Sequence, residues 1–297
     1  MLELFKASKK AGLIRKFIAP PPCPKATIKH LSSHGKLLIR DPKEVREKVT
    51  EIAKMGHDHL QILTDFDMTL TKAGHIDGRS ADSSFKALQD SVFIPQHAKM
   101  QNRKLYDHYH PIEMDPNISQ EEKGKQMQDW WEGTMTIFSS IGLQRADYAR
   151  VVLESRLLFR HGVNDLLSLA SKLRLPLFIV SGGLAEIIQA SFYAIMHNGE
   201  TEEEIFEYWH QHVQVLSNQF EFVEDRGVGY QTPLIHILNK RAFIYDENAK
   251  RSFRKNTIVM GDIIEDVKMV NHEKHDIVLK IGFFNNTAKE AHLLEDF

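Results

Sequence analysis

Two aspartates stand two residues apart in the segment Ile62-Leu63-Thr64-Asp65-Phe66-Asp67-Met68-Thr69. They follow a buried, β-branched run, so both can face the same side where a strand ends. Such a pair suits covalent and proton-transfer chemistry. One carboxylate can split a hard displacement into two easier ones, and the other can serve as acid and then as base. Asp-x-Asp alone is weak, because surface turns produce it often. The rest of the chain strengthens it. Ser181-Gly182-Gly183 closes a second apolar run, Gly261-Asp262 closes a third with Asp266 four residues on, and Lys240 lies between these two.

For these residues to meet, the runs before them must lie side by side. Leu60–Phe66, Leu175–Ser181, Thr257–Gly261 and Ile277–Phe283 are short, apolar and β-branched, which predicts buried strands. Helical patterns such as Leu184–His197 lie between them. The alternation predicts an α/β fold with a parallel sheet and helices on both faces. Ligands of such sheets bind at the carboxyl ends of the strands. A first helix is predicted from Asp41 as N-cap, Pro42 in the first turn, Glu44 completing a capping box, and Gly56 as the stop. Residues 73–174 read as mostly helical. Ser119-Gln120-Glu121-Glu122 is a second capping box there, opening a helix that carries Trp130 and Trp131. So long an insertion predicts a cap domain rather than a loop. A further acidic helix, Glu202–His210, is expected in another insertion.

The bulk numbers exclude several classes. The 297 residues are 42% hydrophobic and 26% charged, an ordinary globular composition. A net charge of -2, with no basic stripe interleaved with aromatics, argues against nucleic-acid binding. Cys23 is the only cysteine, which excludes a disulfide framework and fits a reducing, cytoplasmic setting. No apolar run approaches the roughly 20 residues of a membrane helix. Residues 1–40 contain one acid, Glu3, against many basic residues, with Pro20-Pro21-Pro22 inside. They read as a poorly ordered basic arm, with organelle targeting as the alternative.

Six motifs in order carry a resemblance. They are Thr64-Asp65-Phe66-Asp67-Met68-Thr69-Leu70, Ile112-Glu113-Met114-Asp115-Pro116, Phe178-Ile179-Val180-Ser181-Gly182-Gly183, Leu238-Asn239-Lys240, Gly261-Asp262 with Asp266, and Leu279-Lys280-Ile281-Gly282-Phe283. From about Asp41 to Phe297 the chain resembles the haloacid-dehalogenase superfamily of phosphatases. Within it, the chain is similar to the cytosolic 5′-nucleotidase III family, which hydrolyses pyrimidine nucleoside monophosphates or, in one branch, 7-methylguanosine monophosphate. The resemblance implies a Rossmann-like parallel core (residues 41–72 and 175–297) with a helical cap (73–174) inserted after the first catalytic strand. It implies a monomer acting on a nucleoside 5′-monophosphate, with no nucleic-acid or membrane partner.

The resemblance also implies the roles. Asp65 attacks phosphorus and forms an aspartyl-phosphate, while Asp67 protonates the leaving ribose oxygen and later deprotonates water. Two like charges about 4 Å apart cost roughly 4 kcal/mol at an effective dielectric of 20, and the phosphate adds to that, so cations are required. Mg²⁺ prefers oxygen ligands; the implied metal residues are Asp65, Asp67 (through a nearby backbone carbonyl), Asp262 and Asp266. Lys240 supplies further positive charge, with Arg241 and Lys250 as rivals nearby. Thr69, Ser181 and the Gly182 amide bind phosphate oxygens. In the cap, Glu113 and Thr134 match substrate-contacting positions, and Trp131 resembles the methylguanosine branch, where a cationic purine stacks on an indole. The competing reading has Trp130 and Trp131 filling the cap core.

Two departures stand out. Glu132-Gly133-Thr134-Met135 replaces the family's more basic, histidine-containing segment, and Phe297 falls where the family adds one more strand and helix. They leave room for two other readings: a catalytically weak nucleotide-binding or regulatory protein, and a phosphatase for a non-nucleotide such as phosphoserine.

Overall fold

The computed structural model describes residues 37–74, 80–196, 202–249 and 251–285, so most of the basic arm and the chain beyond Asn285 lie outside it. The first described helix, α1 (Pro42–Met55), forms with the predicted cap and stop, while Glu44 pairs with Lys48 at 2.7 Å rather than closing a capping box. The Asp41 side chain accepts the Lys43 and Glu44 amides at 2.9 and 3.0 Å, and Gly56 ends the helix at φ +82°. Then come β1 (Leu60–Thr64), α2 (Ser84–Gln89), α3 (Gln96–Met114), α4 (Gln120–Ile141), α5 (Arg145–Glu154) and α6 (Val163–Lys172). The second half runs β2 (Leu177–Leu184), α7 (Ala185–Met196), α8 (Glu202–His212), β3 (Val213–Asn218), β4 (Phe220–Val223), β5 (Arg226–Tyr230), α9 (Lys240–Ile244), β6 (Asn256–Gly261), α10 (Ile264–Val267) and β7 (Ile277–Gly282).

Five strands form one sheet in the order β3-β2-β1-β6-β7, and every neighbouring pair is parallel. The expected α/β core is therefore present. The chain builds outward from β1 to β2 and β3, then returns to the other side of β1 for β6 and β7. That reversal makes a crevice between the carboxyl ends of β1 and β6, the usual ligand position in such sheets. Both sheet faces are buried, which explains the continuous apolar runs. Leu63, Phe178, Val180, Val259 and Val278 pack with Ile244, Met269 and Val270. Ile62, Leu177 and Ile179 belong to a larger cluster that runs on through Met135 and Phe138 of α4 and Val151 and Val152 of α5. The inserted helices thus share one apolar interior with the core.

Three features differ from the sequence reading. The Glu202 helix, expected within an insertion, leads straight into β3, a fifth strand. β3 sits at the sheet edge and is largely half-buried, so its sequence lacks the unbroken apolar signal of the inner strands. The antiparallel β4–β5 hairpin, turning at Glu224 with φ +54°, was not foreseen either. It rests against the inserted helices: Tyr230 Oη lies 3.3 Å from Thr136 Oγ1, and Arg145 stacks over Phe222 at 3.8 Å. Within residues 73–174, α3 packs beside α4, whereas α6 packs on α8. No helix among the described residues is long and apolar enough to cross a membrane.

Glu186, in the first turn of α7, ties that helix to the hairpin by accepting the Phe220 amide at 3.1 Å. Its other oxygen has no hydrogen-bond partner among the described residues. Burial raises its pKa to about 7, against the lowering effect of backbone amides and Arg145. The unfolded chain ionises this group near 4.5. Stability from the protonated form is therefore complete below that value and lost as pH rises through 7. At about pH 8, Glu186→Gln is expected to raise the unfolding free energy by up to roughly 3 kcal/mol, from about 1.36 kcal/mol per pKa unit. At about pH 4 it should change little, as read by urea denaturation. An equal gain at both pH values would assign the effect to packing instead.

Candidate active site

β1 ends at Thr64, and the next amide, that of Asp65, still donates to the Met260 carbonyl of β6 at 3.0 Å. The Asp65 side chain consequently emerges at the switch point. Lys240, the first residue of α9, meets it there: Nζ donates to Asp65 Oδ1 and to Asp266 Oδ1, each at 2.7 Å. Asp65, Lys240 and Asp266 are 5%, 4% and 0% exposed, so this is a buried ion cluster. Of the three basic candidates, Lys240 is the one that meets the carboxylates; Arg241 is exposed, and Lys250 lies outside the described residues. The second Asp266 oxygen accepts the amides of Asp262 and Ile263 at 3.1 and 3.2 Å, which fixes the backbone that carries Asp262. One oxygen each of Asp65, Asp262 and Asp266 lie within 4.8 Å of one another.

Within this cluster three carboxylates face one ammonium. Burial raises the Asp65 carboxyl well above the usual range, Asp266 and Asp262 push the same way, and Lys240 opposes them. Burial disfavours the Lys240 charge, but Asp266 and Asp65 overcome it and hold the ammonium above its ordinary pKa. A hard divalent cation with oxygen ligands fits this donor set and its excess negative charge.

Asp67 is placed differently. Its Oδ1 accepts the Ser84 amide at 2.7 Å and its Oδ2 the Ser84 hydroxyl at 2.6 Å, so its carboxylate turns to α2 rather than to the acidic group. Burial raises its pKa, and the two Ser84 bonds oppose that. Ser181 sits beside it, its Oγ accepting the Gly183 amide at 3.0 Å. Any side chain at position 183 would collide with Ser84 Oγ, 2.0 Å from where its Cβ would be, and would lie 3.0 Å from Asp67 Oδ2 and 3.2 Å from Ser181 Oγ. Gly183 is therefore what lets the acid, the serine and α2 converge.

The end of β2, Ser181–Gly183, is braced from β3. Asn218 Nδ2 donates to the carbonyls of Gly182 and Ile235 at 2.8 and 2.9 Å, its Oδ1 accepts the Ile235 amide, and Ser217 Oγ donates to the Gly183 carbonyl. These bonds stitch the loop to the segment that delivers Lys240. His236 in that segment is buried, and burial lowers its pKa to about 4, so it is neutral. Thr69 is fully buried and its hydroxyl lies 3.4 Å from Asp262 Oδ1.

Among the cap residues, Trp131 comes to the site. Its Cζ2 is 4.0 Å from where a Cβ on Gly182 would sit, and its ring meets Phe85 edge-on at 6.0 Å. Trp130 instead stacks on Tyr109 at 6.0 Å, a packing role. Glu113 Oε2 lies 3.2 Å from His110 Nδ1, and Thr134 is buried within α4. Neither is joined to the acidic cluster by a hydrogen bond. Ser84, Asn218, Arg160 and Asn285 are site neighbours that the sequence reading missed.

The family model for pyrimidine 5′-nucleotidases (UMPH-1) matches residues 68–295. A 7-methylguanosine phosphate-specific 5′-nucleotidase of Gallus gallus is 32% identical over 258 residues, 85% of each chain. The Homo sapiens protein of that name is 30% identical over 259 residues, covering 86% of this chain and 82% of that one. The crystal structure of cytosolic 5′-nucleotidase IIIB bound to cytidine superposes with a TM-score of 0.68 at 25% identity, covering 92% of this chain and 91% of that one.

Gly261 touches the acidic cluster from below. A Cβ there would lie 2.2 Å from Asp266 Cβ and 2.5 Å from its Oδ2, whereas one on Gly124 in α4 meets nothing within 4 Å. Gly261→Ala is expected to destabilise by about 1–3 kcal/mol through overpacking. Gly124→Ala should stabilise by up to about 1 kcal/mol through helix propensity. Urea midpoints at constant slope measure both; equal tolerance would mean that Asp266 does not crowd Gly261.

Proposed function

The chain belongs to the pyrimidine 5′-nucleotidase family and is a phosphoric monoester hydrolase; from that premise we propose that it is a Mg²⁺-dependent enzyme that cleaves nucleoside 5′-monophosphates through an aspartyl-phosphate on Asp65. The observation that carries this reading is the Lys240 ammonium held 2.7 Å from both Asp65 and Asp266 at the mouth of β1. Asp65, Asp262 and Asp266 would hold the ion. The Asp67 carboxylate is committed to Ser84, so Asp67 would contribute its backbone carbonyl. When bound, Mg²⁺ supplies positive charge that offsets the repulsion between the nucleophile and the phosphate.

The chain's own residues divide the remaining work. An Asp65 oxygen forms a bond to phosphorus as the bond to the ribose 5′ oxygen breaks, and Asp67 gives that oxygen its proton. Burial keeps the Asp67 carboxyl protonated to higher pH than usual, which suits the acid role. Asp67, then ionised, takes a proton from the water that attacks phosphorus, releasing phosphate and restoring Asp65. A hydroxyl both donates and accepts, so Ser84 can hold Asp67 in either protonation state. Ser181, Thr69 and the Gly182 amide receive the phosphate oxygens, and Lys240 orients Asp65.

Trp131, which lies beside Gly182, would stack on the base. An indole favours a cationic methylated purine, and the chicken and human relatives are named for 7-methylguanosine phosphate. We therefore read 7-methyl-GMP as the preferred substrate, with CMP and UMP as alternatives, Glu113 and Thr134 assisting, and the cytoplasm as the setting.

Purified protein with Mg²⁺ should release phosphate from 7-methyl-GMP, CMP or UMP faster than from AMP or phosphoserine. Asp65→Asn should abolish release, by at least about a thousandfold; a variant with normal turnover would sink the mechanism. Trp131→Ala should cost 7-methyl-GMP about tenfold more in kcat/KM than CMP, as expected for a cation–π contact of about 1–2 kcal/mol. Equal losses on both would return Trp131 to a packing role.

A further inference from the structure

β7 carries the chain back to the crevice from beyond β6, and the Phe283 amide still donates to the Gly261 carbonyl at 2.9 Å. Asn285 follows. Its Nδ2 lies 3.1 Å from the Met68 carbonyl and 3.4 Å from Asp262 Oδ2, and its Oδ1 accepts from Arg160 Nη2. Arg160 comes from the opposite side, in the segment before α6. Its Nε donates to the Thr69 carbonyl at 2.8 Å, Nη2 to the Met68 carbonyl at 2.5 Å, and its backbone amide to the Leu70 carbonyl at 2.8 Å. The guanidinium lies 4.7 Å above the Phe283 ring.

Met68 has φ +60°, a left-handed conformation that a methionine keeps only where its surroundings impose it. Here those surroundings are two side chains that grip the Met68 and Thr69 carbonyls together. Asn285 also reaches one oxygen of Asp262, while the Thr69 hydroxyl approaches the other at 3.4 Å. Asp262 is therefore addressed on both oxygens by groups that the turn and Asn285 supply. A rigid planar fork can span several acceptors at once, which a lysine cannot do.

We propose that Asn285 and Arg160 are positioning residues for the divalent-metal centre: Asn285 aims Asp262 at the ion, and Arg160 locks the turn after the nucleophile to Asn285. The proposal rests on Asp262 being a metal ligand. Partners of metal-binding carboxylates commonly govern affinity by about 10- to 100-fold, so the pair would set how much Mg²⁺ the protein needs. Neither residue touches the reacting atoms.

The test is Mg²⁺ binding to the purified full chain without substrate, by isothermal titration calorimetry. Asn285→Ala is expected to weaken binding by about 10- to 100-fold, and Arg160→Lys to weaken it less, while melting without metal stays that of the wild type. Asp262→Asn is the reference and should abolish binding. If Asp262→Asn binds Mg²⁺ normally, the metal reading above fails. If Asp262→Asn loses the ion while Asn285→Ala keeps wild-type affinity, this proposal alone falls. A lower melting temperature with unchanged affinity assigns the pair to fold maintenance and overturns it as well.

Discussion

The Lys240 ammonium, shared between Asp65 and Asp266 in a buried pocket, is the constraint around which the site is arranged. Burying a charge is costly unless it is paired and hydrogen-bonded. Three things must therefore coincide: the end of β1, the first turn of α9 and the start of α10. The parallel sheet makes this possible by bringing all its carboxyl ends to one edge. β1 then presents Asp65, β2 Ser181, β3 Asn218 and β6 Asp262. The short α9 can aim Lys240 into this edge only because Asn218 and Asn239 pin the loop ahead of it.

The inserted helices are part of that edge. Ser84 holds both oxygens of Asp67, Trp131 lies against Gly182, and Phe85 joins the two through its edge-on contact with the indole. The group proposed to move the proton and the ring proposed to read the base are thus coupled through α2. A change in how the inserted helices sit would be felt by Asp67 as well as by Trp131. Gly183 sets the tolerance of this junction, since the space its missing side chain would fill is already occupied by Ser84.

How much was legible in the sequence follows from the same geometry. Asp65, Ser181 and Asp262 stand where buried apolar runs stop, with Asp266 four residues on, so their shared edge could be inferred from strand order alone. Lys240 was singled out only by its place in the order, with Arg241 and Lys250 left as rivals, because a lone lysine carries no signal of burial. Ser84, Asn218, Arg160 and Asn285 were not legible. Each is a common polar residue whose partner lies 17 or more positions away, and only the assembled fold makes it a neighbour. Asn218 also ends an edge strand too polar to register. The Asp67 side chain was half-read: its place at the strand end was visible, but its turn toward α2 depends on a helix whose packing no local pattern reveals.

The bond between Asn285 and Met68 spans 217 positions, and the one between Lys240 and Asp65 spans 175. Contacts that distant in sequence form late, because the entropy of closing long loops must be met before they contribute. A growing polypeptide that has already produced Asp65, the inserted helices and Ser181–Gly183 still lacks the cation beside its proposed nucleophile. It also lacks Asn285, proposed to steady the turn. On the proposed mechanism, competence therefore arrives only once β6 and β7 are in place, and a partly folded molecule carries Asp65 without the partners proposed to make it reactive.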